Sequence, residues 1–140
     1  MAFTEGGRTI GETKIQGANT IYDVKRMIGK NFNDTSLQSD KKNWPFTIVS
    51  VDGKPYYQIA YKGATKQLSP EEIIAMILSK MKENAEDYLK QPVHCAVISI
   101  PAHFGEIRRL AVDDAAKIAG FEEIRLVNGI LISNYPIHIV

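Results

Sequence analysis

One cysteine, Cys95, is the whole thiol content of this 140-residue sequence, so an internal disulfide and a cysteine-cluster zinc site are both excluded. Long apolar runs are missing as well. None approaches the roughly 18–20 residues that cross a bilayer. The opening Met1-Ala2-Phe3-Thr4-Glu5-Gly6-Gly7-Arg8 has no apolar core of the signal-peptide kind, so the expected compartment is the cytosol, with no membrane partner. Neither sign of charge dominates. Lys+Arg 17 against Asp+Glu 16 leaves a net +1, which gives no electrostatic ground for nucleic acid or an anionic membrane as the main partner.

Familiar chemical signatures are absent too. There is no Gly-x-x-x-x-Gly-Lys loop and no Gly-x-Gly-x-x-Gly fingerprint, so neither common phosphate cradle is present. Gly6-Gly7 reads as a turn. His94, His103 and His138 lack helical metal-ligand spacing, so no metal site is assigned to them. No Gly-x-Ser-x-Gly elbow surrounds any serine. Repeats and low-complexity tracts are also missing.

What remains is an ordinary globular composition, 44% hydrophobic and 24% charged, sized for one domain. A chain of this length buries roughly two thirds of its unfolded surface. The first 18 residues read as an irregular or short-strand entry. Thr20-Ile21-Tyr22-Asp23 has the form of a capping box, which predicts a helix through Val24–Ile28 ending at Gly29. The polar stretch Asn31 to Asn43 reads as loop. Phe46–Val51 and Tyr56–Tyr61, rich in β-branched and aromatic residues, read as a hairpin with a slightly long turn around Asp52-Gly53. Thr65–Leu68 adds a third strand after Lys62-Gly63.

Ser69-Pro70-Glu71-Glu72 is a helix start: Ser caps, Pro takes the first helical position, and Glu72 completes the box. Ile73, Ile77, Met81, Ala85 and Tyr88 or Leu89 then form the expected core stripe. Val93–Ile100 is nearly all apolar, the pattern of a strand buried on both faces with an inert Cys95 inside it. A helix from Glu106 to Ala119 follows, with Ile107, Leu110, Ala111, Ala115 and Ile118 expected inward and Gly120 as its stop. Glu123–Val127 returns as a strand, making a βαβ unit. The fold class is therefore α/β, with an antiparallel β-meander and a long helix inserted before a βαβ unit.

One pair of cations leaves two readings open. Lys25-Arg26 suits a polyanion such as phosphate, although on the residues alone the solvated basic turn is the favoured reading.

Asn19-Thr20-Ile21-Tyr22-Asp23-Val24-Lys25-Arg26-Met27-Ile28-Gly29 closely resembles a signature stretch of the 70-kDa heat-shock chaperone family. Gln38 to Phe46, Ser69 to Ile73, Ile100-Pro101-Ala102-His103-Phe104, Ile118 to Phe121 and Arg125-Leu126-Val127-Asn128 continue the match in order. The resemblance runs from about residue 2 to Asn128, and Trp44-Pro45-Phe46 is similar to the form of the cytosolic branch.

The resemblance implies an incomplete actin-like (ribonuclease H-like) ATPase lobe: residues 1–128 as the first lobe of a chaperone nucleotide-binding domain, and 129–140 as a divergent tail. It implies ATP and Mg as cofactors, with unfolded protein clients and co-chaperones as partners. By resemblance, Lys25 positions phosphate and the attacking water, a fixed cation beside developing phosphoryl charge. Pro101 and Arg109 match the nucleotide-state switch, while Asp23 and Arg26 give supporting contacts.

Departures from the family pattern carry expectations of their own. The first phosphate loop, its aspartate and neighbouring strands, the second phosphate loop, the adenine pocket and the peptide-binding domain have no counterpart in this sequence. The family glutamate after Asn128 is replaced by Gly129, and His103 stands in place of tyrosine. The expectation is an ATP-dependent chaperone fragment that is inactive as an isolated chain. The alternative is a non-catalytic interaction module that binds co-chaperones or a full-length relative. The strands at 93–100 and 123–127 are expected to lack neighbours. The β-branched tail is read either as an extra strand or as an exposed adhesive segment.

Overall fold

The computed structural model describes residues 1–4, 7–11 and 17–129, together with the backbone of 137–138. Gly6 of the expected Gly6-Gly7 turn and most of the 129–140 tail lie outside them. The chain divides into two units, Met1–Ile73 and Ile74–Val140.

In the first unit, β1 (Ala2–Thr4) pairs antiparallel with β2 (Gly7–Thr9), a short-strand entry as expected. A bridge joins Ala2 to Thr20. The expected capping box at Thr20 does not form. Thr20 is buried in that bridge, and Asp23 adopts a left-handed conformation, φ 56°. A helix cannot run through such a residue, so only a 3-10 turn, Val24–Arg26, follows.

The stretch read as loop from Asn31 to Asn43 contains a helix, α1 (Thr35–Lys41). The Asp34 carboxylate caps it, accepting from the Ser36 and Leu37 amides at 3.0 and 3.4 Å. Its only buried residue is Leu37. One apolar anchor in seven residues makes no period for a sequence reading to find.

The meander is present as β3 (Thr47–Val51), β4 (Lys54–Tyr61) and β5 (Ala64–Leu68), in that order and antiparallel throughout. Its first turn is shorter than expected. Val51 pairs with Lys54, leaving only Asp52 and Gly53 in the loop, both at positive φ (49° and 77°). That backbone twist matches the twist of the flanking strands, which is why a two-residue turn with glycine second wins. Lys62-Gly63 repeats the geometry between Tyr61 and Ala64. Phe46 and Tyr57 meet under the meander, ring centroids 5.3 Å apart, and Trp44 stacks on Phe46 at 5.2 Å.

The unit boundary falls inside α2 (Pro70–Leu89). Its capping box forms as expected: the Glu72 amide donates to Ser69 Oγ at 3.1 Å, and the Ser69 amide donates to Glu72 Oε2 at 2.7 Å. The core stripe is only partly as expected. Ile73, Ala75 and Leu78 are buried, Ile77, Met81 and Ala85 are half-buried, and Tyr88 and Leu89 are exposed. The apolar face runs out before the helix does. Glu86 ties its end down, accepting from the Val93 amide at 2.9 Å and from Lys82 Nζ at 2.8 Å.

The second unit holds the βαβ unit. β6 (Cys95–Pro101) and β7 (Glu123–Gly129) are parallel, joined through α3 (Glu106–Ile118). β8 (Ile137–His138) pairs antiparallel with the other edge of β6, giving the sheet order β7-β6-β8. Two expectations fail here. β6 is not buried on both faces: Ala96, Ile98 and Ile100 are buried, whereas Val97 and Ser99 are half-buried and Cys95 is exposed. Cys95 therefore looks outward, its Sγ 3.9 Å from Glu123 Oε2.

Similarly, α3 buries Ala111, Val112, Ala115 and Ala116, and leaves Ile107, Leu110 and Ile118 at 72%, 56% and 63% exposure. The helix has two adjacent apolar sectors. The alanine-rich one lets the helix axis come closest to the strands and is the one that packs.

Candidate functional site

The residues singled out in the sequence fall into two groups, one in each unit. Asp23, Lys25 and Arg26 share the 3-10 turn of the first unit. The turn closes through backbone bonds from Arg26 N to Asp23 O (2.8 Å) and from Met27 N to Val24 O (3.0 Å). Val24, Met27 and Ile28 are buried beneath it. Tyr22, just before the turn, sets its ring edge-on to Phe46 at 5.4 Å.

Arg26 braces the outer side. Its Nε lies 3.5 Å from Asp23 Oδ2, and its Nη1 donates to Asp40 Oδ1 at 3.2 Å, linking the turn to α1. The side chain is well exposed, so the pair is a modest brace. Lys25 is half-buried, and burial pulls its ammonium pKa below the ordinary value. A partly dehydrated cation gains more from a phosphate oxygen than a fully hydrated one does.

Pro101 and Arg109 belong to the second unit, at the carboxyl end of β6. Pro101 is the last residue of the β6–β7 ladder, opposite Gly129. Its carbonyl accepts from the Phe104 amide at 3.0 Å, which closes a tight turn. Arg109, one turn into α3, donates through Nε to the Phe104 carbonyl (3.0 Å) and through Nη2 to Asn128 Oδ1 (2.6 Å). One guanidinium thus fastens the loop after Pro101 to the end of β7. Phe104 is buried, with the Arg108 guanidinium 3.9 Å above its ring centroid.

The sequence reading missed Asn128, Phe104 and Asp40 as partners in these two groups. A side-chain amide or an acid on a polar stretch has no local pattern to mark it. Only the tertiary partner reveals it.

The fit to nucleotide and metal is partial. Lys25 suits one phosphate oxygen. Among the described residues no group of three His, Cys, Asp or Glu side chains could hold a metal ion. His94 is taken up otherwise, its Nδ1 2.7 Å from Glu122 Oε1 on the exposed face.

An antiparallel meander with its helix, followed by a parallel βαβ unit, is the α/β architecture of part of an actin-like ATPase lobe. The family model described as Hsp70 protein matches residues 1–131. The chain is 48% identical over 133 residues to "Putative heat shock 70 kDa protein 7" of Homo sapiens, covering 91% of this chain and 36% of that protein. It is 46% identical to the "Heat shock 70 kDa protein" of Emericella nidulans, covering 91% and 21%. Against a "Ribosome-associated molecular chaperone" of Zygosaccharomyces rouxii it is 45% identical, covering 91% and 22%. The chain belongs to the 70-kDa heat-shock chaperone family. It spans between about a fifth and a third of the length of these curated relatives.

Proposed function

We propose that this chain carries part of the ATP-dependent machinery of a 70-kDa heat-shock chaperone, with residues 1–128 as part of the first lobe of the nucleotide-binding domain and 129–140 as a divergent tail. In this reading Lys25 presents its ammonium to phosphate and to the attacking water. Asp23 and Arg26 hold the turn that carries it. Pro101 and Arg109 form the nucleotide-state switch, since Arg109 bonds both the loop after Pro101 and the end of β7. ATP with Mg is the cofactor pair, and unfolded clients and co-chaperones are the partners of the complete machine, working in the cytoplasm. A ribosome-linked role belongs to several relatives by their names and is not needed here.

The observation that carries the proposal is the half-buried, partly dehydrated Lys25 on a turn braced by Arg26 and packed through Tyr22 on Phe46. A single cation does not make a phosphoryl-transfer site. That chemistry depends on nucleotide, metal and water being positioned together. The isolated 140-residue chain is therefore expected to hydrolyse no ATP.

Calorimetry of folded chain with Mg-ATP and Mg-ADP tests this, with no heat expected at protein concentrations near a millimolar. Micromolar binding, lost in Lys25→Ala, would mean that these residues rebuild a pocket without the rest of the cleft. Exposed Ile107, Leu110 and Ile118 favour a second reading, a non-catalytic module that binds co-chaperones or a full-length relative. A pull-down with purified components distinguishes it.

A further inference from the structure

The second unit contains a strand edge that its own sequence leaves unguarded. β6 reads Cys-Ala-Val-Ile-Ser-Ile-Pro, with no charged residue along it. Sheets keep free edges from pairing with other chains by means of lysines, bulges, prolines or a covering element. Along one edge β6 is paired with β7 through all seven residues, Cys95↔Glu123 to Pro101↔Gly129. A parallel strand turns alternate residues to its two sides, so about half of its N–H and C=O groups face the other edge. There β8 lies antiparallel, Val97 opposite His138 and Ile98 opposite Ile137. Pro101, the last residue of the strand, has no N–H to offer either edge.

The segment that supplies β8 has a matching composition. Residues 129–140 contain no Asp, Glu, Lys or Arg, and half of them are Ile, Leu or Val. Low charge and high β-propensity mark a segment suited to adding to a sheet edge. We propose that the outer edge of β6 is a strand-acceptor site, that Ile137–His138 occupies it within the same chain, and that the vacated edge takes the same segment from a second copy of this chain. The divergent tail then closes the sheet in cis and keeps the chain monomeric. A copy whose tail has left its own edge pairs with a neighbour by exchange of an identical element, an association that needs no new complementary surface.

Hydrogen exchange and sedimentation of the full chain and of a variant lacking residues 137–140 test the proposal. In the full chain, the amide of Val97 or Ile98 that faces β8 exchanges slowly, and nuclear Overhauser contacts join Val97 to His138 and Ile98 to Ile137. In the shortened chain that amide exchanges at least roughly tenfold faster, while amides paired with β7 keep their protection. The shortened chain has a vacant edge and no segment to donate, so it stays monomeric alone and, mixed with the full chain, takes residues 137–138 from a full-length copy and sediments as a heterodimer. Equal exchange in the two proteins, or a mixture in which no heterodimer of shortened and full chain sediments, overturns the proposal. Should the shortened chain fail to fold, the contacts in the full chain decide, and their absence overturns it.

Discussion

Tyr57 is the residue whose environment is least comfortable. Its side chain is fully buried in β4, and its hydroxyl has no hydrogen-bond partner among the described residues. Burial raises its pKa well above the ordinary 10.0, and the nearby Asp23 and Glu71 charges push in the same direction. A buried hydroxyl without a partner costs about 1–3 kcal/mol, so Tyr57→Phe is expected to raise stability by about 1 kcal/mol in urea unfolding at neutral pH. The pH dependence has a definite sign. The folded state holds the phenolic proton to higher pH than the unfolded state does, so this group's contribution is intact below pH 10.0 and declines as pH rises above it. In Tyr57→Phe that alkaline decline should be shallower; an unchanged profile would place the titration elsewhere. Gly129 is a quieter case. A Cβ there would meet Ser99 Cβ at 3.4 Å, within ordinary van der Waals contact, so alanine fits at this position.

Among the elements, α1 shows how a short helix survives without a hydrophobic stripe. Asp34 supplies what the helix lacks: its carboxylate accepts from the Ser36 hydroxyl at 2.6 Å and from two backbone amides. The Ser36 hydroxyl bond is the main reason its pKa lies below the ordinary carboxylate value, with the backbone amides and Lys30 adding to it. Removing the cap by Asp34→Ala is expected to cost about 1 kcal/mol at neutral pH. Because the folded pKa is depressed, that stabilisation is present above pH 3.8 and is lost as pH falls through the folded value. Urea midpoints of wild type and variant should therefore converge on acidification. A gap independent of pH would assign the effect to something other than the ionised cap. By contrast, α2 begins with both members of its box bonded, and it ends with Tyr88 at 87% exposure.

At the scale of the whole molecule, the balance between buried and exposed apolar surface is the distinctive property. Ile107, Leu110 and Ile118 stand in water along α3, and Val127 on β7 is exposed as well. A net charge of +1 offers little repulsion between copies near neutral pH. Replacing Ile107, Leu110 and Ile118 together by Gln is expected to lower concentration-dependent light scattering and to leave the urea midpoint nearly unchanged, since the packed sector is Ala111, Val112, Ala115 and Ala116. A large drop in the midpoint would show instead that those three side chains carry core packing. Scattering from this face and strand exchange at β6 are separable: the triple substitution alters the first and leaves Val97 and Ile98 in place.

Much of this protein is legible in one dimension, and the legible parts share a cause. The meander, the Ser69-Pro70-Glu71-Glu72 start and the βαβ order all rest on interactions within a few residues: turn dihedrals, a cap, a period of two or of 3.6. The roles proposed for the Lys25 turn and for the Pro101–Arg109 pair come from strings resembling the 70-kDa heat-shock family, and the family itself is borne out by the match over residues 1–131. What stayed hidden depended on partners far along the chain. Thr20 looked like a cap and became a bridge to Ala2. Cys95 looked buried and faces outward, because only one face of β6 is fully covered. On α3 two apolar sectors compete, and local pattern cannot rank them. Packing selected the smaller side chains, since closeness of approach, not hydrophobicity alone, determines which sector of a helix is buried.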